Sequence, residues 1–140
     1  MVSDILSGIT RMLKERYPDH TVYRNPKDAG ARLPCFFVTA PLGAQKQRLY
    51  DVMEEEPTIQ IVRLPSGRAK TPTEENRRIA GELLRELRRI PAAGGGVTPY
   101  NWAWEADREH GSVQFQVRLR MRPVAADPLI ASETTKGDVK

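Results

Sequence analysis

The residue types that could do chemistry in this chain fall in four places. Glu105, Asp107 and Glu109 alternate through a polar stretch that ends at His110, and carboxylates so spaced can hold a divalent cation. The same types in a turn are equally read as a solvated loop, with His110 a turn residue. Cys35 is the one cysteine, and His20 and His110 are the only imidazoles that could activate it as a nucleophile. Its setting, Pro34-Cys35-Phe36-Phe37-Val38, is apolar and favours a buried, inert thiol. Trp102 and Trp104 could stack bases, or pack in a core or against a subunit. Arg118, Arg120 and Arg122 could contact phosphates, or form a solvated face.

Patterns with tighter geometric demands are missing. No Cys-x-x-Cys or His-x-x-x-His pair occurs, so no zinc site is written locally. Gly94-Gly95-Gly96 lacks the lysine and hydroxyl of a phosphate-binding loop and follows a helix rather than opening one. We therefore expect no catalytic residues, no cofactor and no metal.

The arginines belong to the most regular stretch of the chain, residues 112–122. Val113, Phe115, Val117, Leu119 and Met121 alternate with Gln114, Gln116, Arg118, Arg120 and Arg122. Side chains on a strand point to opposite faces with period two, so this predicts one half-buried strand with a wet, cationic outer face. The elements that must cover its apolar face are two amphipathic helices. Residues 3–16 place Val2, Ile5, Ile9, Met12 and Leu13 on one stripe, with Pro18 as the stop. The second helix opens on Thr71-Pro72-Thr73-Glu74, a capping box with proline in the first turn. Its stripe is Ile79, Ala80, Leu83, Leu84, Leu87 and Ile90, and Pro91 and the glycine triplet end it.

The remaining strands are read from composition. They are 21–24, 34–40 (apolar on both faces), 58–64 (Ile59 and Ile61 on one face) and 97–106. In the last, Tyr100, Trp102 and Trp104 share a face. Asp107 to Gly111 is then a hairpin turn, with Gly111 free to take a positive φ. Residues 42–56 are a long arm or loop whose basic half (Lys46, Arg48) precedes an acidic half (Asp51, Glu54, Glu55, Glu56). The order α-β-β-β-α-β-β predicts an α+β fold, an antiparallel-rich mixed sheet of about five strands with both helices on one face. Residues 1–124 are expected to form one domain, and 125–140 a C-terminal tail or arm.

Bulk composition fits that picture. The chain has 140 residues, 39% hydrophobic and 29% charged, enough for one core and too apolar for global disorder. A net charge of +4 permits an anionic partner without requiring one. A single cysteine excludes an internal disulfide. The N-terminus shows no basic region followed by an apolar run, and no stretch reaches transmembrane length, so a cytoplasmic protein or particle component is expected.

Several segments, taken in order, resemble one family. The opening Met1-Val2-Ser3-Asp4-Ile5-Leu6-Ser7-Gly8-Ile9 and the Pro34-Cys35-Phe36-Phe37-Val38 strand are similar to pieces of the phage tail terminators of tailed phages and prophages. Arg48 in its loop, the strand Ile59 to Pro65, the helix start Glu74-Glu75-Asn76 and the closing Val113 to Val117 follow in the family's order. The resemblance covers roughly residues 1–123 and rests on order and spacing rather than one motif. It implies a structural virion protein, not an enzyme. Such a protein forms a homo-oligomeric ring, typically a hexamer, on the head-proximal end of the tail tube. The ring stops tube polymerisation and docks the head connector, DNA passes through it only as cargo, and no membrane is involved. The residues expected at subunit or tube interfaces are Arg48, Glu54, Glu55, Glu56, Gln114, Gln116, Arg118, Arg120 and Arg122. Other readings are a neighbouring head-tail connector or tail-completion protein, a small nucleic-acid-binding module, and a metal-dependent enzyme built on Glu105, Asp107 and His110.

Overall fold

The computed structural model describes residues 2–24, 30–42, 45–47, 53–92 and 95–121. The described chain forms two units. The first draws on Met1–Gly43 and Glu56–Arg118, the second on Ala44–Glu55 and the chain from Leu119 onward.

The first unit starts with α1 (Val2–Arg16), which buries Ile5, Ile9 and Leu13 at helical spacing. A five-stranded sheet follows, from β1 (Thr21–Tyr23), β2 (Cys35–Leu42), β5 (Thr58–Leu64), β8 (Tyr100–Ala106) and β9 (Gly111–Gln116), with α2 (Pro72–Glu86) between β5 and β8. The strands lie in the order β1-β2-β5-β9-β8. Only the β1–β2 pair is parallel. This is the expected α+β fold, mixed sheet and element order.

Both helices cover one face, and the register shows why. Phe36 of β2 lies directly opposite Arg63 of β5, so the two share a face. Phe36 packs against Tyr17 and His20, just beyond α1, with ring centroids 5.3 and 4.8 Å away. Arg63 bonds Glu75 and Asn76 of α2. Under the helices lie Val38, Ile59, Ile61, Val113 and Phe115, all fully buried. Cys35 is a buried free thiol, its pKa pushed up by desolvation, in keeping with an inert role.

Four local expectations are corrected. Thr71 starts α2 but makes no side-chain capping bond, so the capping box does not form; proline occupies the first turn as expected. Ile90 does not extend the helical stripe. The helix ends at Glu86, and Ile90 is buried in β6 (Ile90–Ala92), which pairs with β7 (Gly95–Val97). Gly111 does not have a positive φ; its need is space, because a Cβ there would lie 3.1 Å from both Cβ and O of Asn76. Tyr100 does not share a face with Trp102 and Trp104. Tyr100 opposes Gln116 and Ala103 opposes Gln114, so three residues span what should be two. Asn101, at φ 55°, supplies the extra residue and turns Tyr100 to the other face.

The 112–122 segment is two strands, not one. β9 pairs with β5 and ends at Gln116. β10 (Leu119–Met121) pairs in the second unit with β4 (Met53–Glu55), which also pairs with β3 (Gln45–Gln47). The break is set by the facing segment of the same chain at Glu56-Pro57: proline has no N–H for a ladder, and its carbonyl accepts the Val117 N–H at 3.2 Å. Burial still alternates from Val113 to Leu119, so the face assignments stand there. No helix among the described residues is long and apolar enough to cross a membrane.

Candidate interaction surfaces

The expected interface residues fall into three groups. Gln114 and Gln116 project from the face of the sheet that the helices leave open; Gln114 is exposed, and Gln116 Oε1 accepts from Asn101 Nδ2 at 2.7 Å. Arg118, 57% exposed, donates from Nε to Glu56 Oε2 at 3.3 Å and lies over the Tyr100 ring, 5.1 Å from its centroid. Burial, then the Glu56 charge, pushes the Tyr100 hydroxyl pKa up. In the second unit, the register places Glu54 of β4 opposite Lys46 on one side and Arg120 on the other, and Glu55 opposite Gln45 and Leu119. The two halves of the 42–56 arm thus pair as strands within one chain. Arg48 and Arg122 lie outside the described residues, as do Asp51 and the 125–140 tail.

The expected cation cluster does assemble in part. Single ligand atoms of Glu105, Asp107 and His110 lie within 4.8 Å of one another; Glu109 does not join them. Asp107 Oδ1, however, accepts the backbone N–H groups of Glu109 and His110 at 2.8 and 2.9 Å. These bonds close the turn and hold the Asp107 carboxyl below its ordinary pKa. Glu105 and Asp107 are 69% and 54% exposed, as solvated turn acids are.

Trp102 packs on Phe115 at 4.7 Å between centroids, a core contact. Trp104, two residues on and on the same face, is 51% exposed. It and Leu33 are the exposed large apolar side chains among the described residues.

The most heavily bonded polar group was not singled out by sequence. Arg63 is 4% exposed and donates three ways: Nε to His20 Nε2 at 3.2 Å, Nη1 to Asn76 Oδ1 at 2.8 Å and Nη2 to Glu75 Oε1 at 2.7 Å. Since His20 Nε2 accepts, its proton is on Nδ1, which donates to Asp19 Oδ1 at 2.8 Å. Asn76 passes the chain on, donating from Nδ2 to the Asp107 carbonyl at 2.9 Å. One buried guanidinium so ties β5, α2, the α1–β1 connection and the β8–β9 turn. The signal was available: Arg63 continues the Ile59, Ile61 phase, and a charge on a buried face must be paired. The cluster aims no group at an open cavity, so its work is positional. A cleft of about 460 Å3 at the start of α2 is lined by residues including Leu33, Leu64, Ser66, Pro72, Arg108 and Glu109; Ser66 Oγ accepts the Arg68 N–H.

A family model described as phage tail terminator protein matches residues 4–128. No curated protein matches the chain.

Proposed function

The chain belongs to the phage tail terminator family, and from that premise we propose that it forms a ring on the head-proximal end of the tail tube. The family makes it a structural component of tail assembly. The ring would stop tube polymerisation and offer the surface on which the head connector docks, with DNA passing through. The observation that carries this is the family match itself, which covers all but the first three residues of the first unit and the whole of β10.

Two features support it. The open face of the five-stranded sheet is lined by half-buried and exposed residues including Phe37, Thr39, Gln60, Gln114 and Gln116, neither apolar enough for a core nor charged enough for plain solvation. Arg118 is exposed at the end of that sheet. We assign contacts with a neighbouring subunit or the tube to Gln114, Gln116, Arg118, Arg120 and Arg122, and to the arm bearing Arg48 and Glu54 to Glu56.

The test is light scattering and negative-stain microscopy of the purified protein, alone and with tail tubes. Rings, or protein capping one tube end, are expected. A monomer that leaves tube ends bare would refute the proposal.

A further inference from the structure

The five-stranded sheet has two edges, β1 and β8, and their geometry is matched. Residue rows can be followed straight across it. Val22, Phe36, Arg63, Gly111 and Ala106 form one row. Tyr23, Phe37, Val62, Ser112 and Glu105 form the next. The third runs Val38, Ile61, Val113, Trp104, and its β1 end falls at Arg24, the residue after the strand. Row three shares the helix-covered face with row one. Arg24 agrees, since its Nη1 reaches Ser7 Oγ of α1 at 3.4 Å. Trp104 agrees too, since Trp102 on that same face packs on Phe115.

Strand direction completes the match. β1 and β2 run together and each later neighbour reverses, so β8 runs opposite to β1. A β8 edge laid against the β1 edge of a second copy forms an antiparallel ladder. A rotation axis along the strands keeps every row at its own height. Trp104 then meets Arg24, and Glu105 meets Tyr23.

The chemistry of the two edges fits that register. Trp104 leaves about half its surface, on a residue whose ring is electron-rich, uncovered. Arg24 Nε is buried and has no hydrogen-bond partner among the described residues. A cation over an indole is a favourable pairing. Among the described residues neither β1 nor β8 has a second strand neighbour, and open strand edges are an aggregation hazard, which mutual pairing removes.

We propose that neighbouring subunits join head to tail by pairing β8 of one with β1 of the next, with Trp104 stacked on Arg24 across the junction. This rests on the ring proposed above and names its contact. Because the contact is heterologous, it propagates around a ring rather than stopping at a pair.

The test compares full-length wild type with Arg24→Glu, Trp104→Arg and the double variant, each checked for an unchanged urea transition. Rings, free or on tubes, are counted by microscopy and mass. Each single variant is expected to weaken association about ten-fold or more per junction, and the double, which sets a glutamate opposite an arginine, to regain rings. A second measurement does not depend on those substitutions: Arg24→Cys with Trp104→Cys, once oxidised, should give a covalent ladder of multimers, Cys35 being buried. Singles that form rings like wild type, or an oxidised pair with no ladder, would reject the edge contact while leaving the ring intact. Dimers that never grow would mean two-fold pairing and reject it as well. Wild type that neither forms rings nor caps tubes would overturn ring and contact together.

Discussion

Replacing Arg63 by Met keeps most of its aliphatic volume and removes the guanidinium. Asn76, 1% exposed, then loses the donor to its Oδ1, and His20, 9% exposed, loses the donor to its Nε2. Each buried acceptor left without a donor costs about 1–3 kcal/mol. Glu75 is 34% exposed and can turn to water, so its loss adds little. Against this, the folded state no longer has to desolvate a guanidinium. The net loss is about 2–4 kcal/mol, a large share of the ~5–15 kcal/mol that holds a domain together. Urea denaturation followed by the fluorescence of Trp102 and Trp104 measures it. The double variant Arg63→Met with His20→Phe should regain part of the loss, because a phenyl ring can keep the stacking on Phe36 and removes one of the two stranded acceptors, leaving that of Asn76. A loss below about 1 kcal/mol for Arg63→Met would refute the reasoning, since it would mean the acceptors find water or other donors.

Three further outcomes are expected. Gly111→Ala drives a Cβ to 3.1 Å from backbone O and side-chain Cβ of Asn76, and should lower stability by about 1–3 kcal/mol in the same urea assay. Tyr17 donates to Glu82 Oε1 at 2.6 Å, and burial, followed by that bond, pushes its hydroxyl pKa from 10.0 up to about 12. The unfolded chain releases this proton first, so stability is complete below pH 10 and should fall by about 2–3 kcal/mol as the pH rises through 12, a slope that Tyr17→Phe removes. Arg118→Gln gives up a pair that is exposed on the arginine side alone and should shift stability by about 1 kcal/mol, yet sharply reduce the capping of tube ends; capping that persists places Arg118 outside the interface.

Periodicity made most of the fold legible. Ile5, Ile9 and Leu13 in α1, Ile79, Ala80 and Leu83 in α2, and Ile59 and Ile61 in β5 lie where spacing put them, because burial on one face imposes those spacings. What escaped was set by neighbours. The split of 112–122 into β9 and β10 is written at Pro57, in the chain it pairs with. The reversal of Tyr100 depends on the left-handed backbone at Asn101, a residue type that tolerates it but rarely announces it. Gly111 reads as a flexible turn residue and serves as a gap under Asn76. Thr71 had the composition of a cap without the geometry. For the interaction surfaces, residue types marked Gln114 and Arg118 as exposed, but no local pattern reveals that Arg24 and Trp104 share a row across five strands. That juxtaposition exists only once the sheet order is known.

The buried cluster and the sheet edge are physically linked within the first unit. β8 is a terminal strand, held on one side by β9 alone, so its position depends on what fixes the turn at 107–110. Asn76 does this twice, by its bond to the Asp107 carbonyl and by its close approach to Gly111. Asn76 is in turn oriented by Arg63. Loosening Arg63 or Asn76 therefore frees the end of the strand that carries Trp104 and Glu105 before it unfolds the core. If β8 is the contact edge, Asn76→Ala should weaken ring formation by more than its loss of stability accounts for. Arg16→Ala, which removes a 4.0 Å surface pair with Glu86 and a contact with Tyr17 but touches neither Asn76 nor β8, should leave ring formation alone. Equal behaviour of the two variants would uncouple the cluster from the edge.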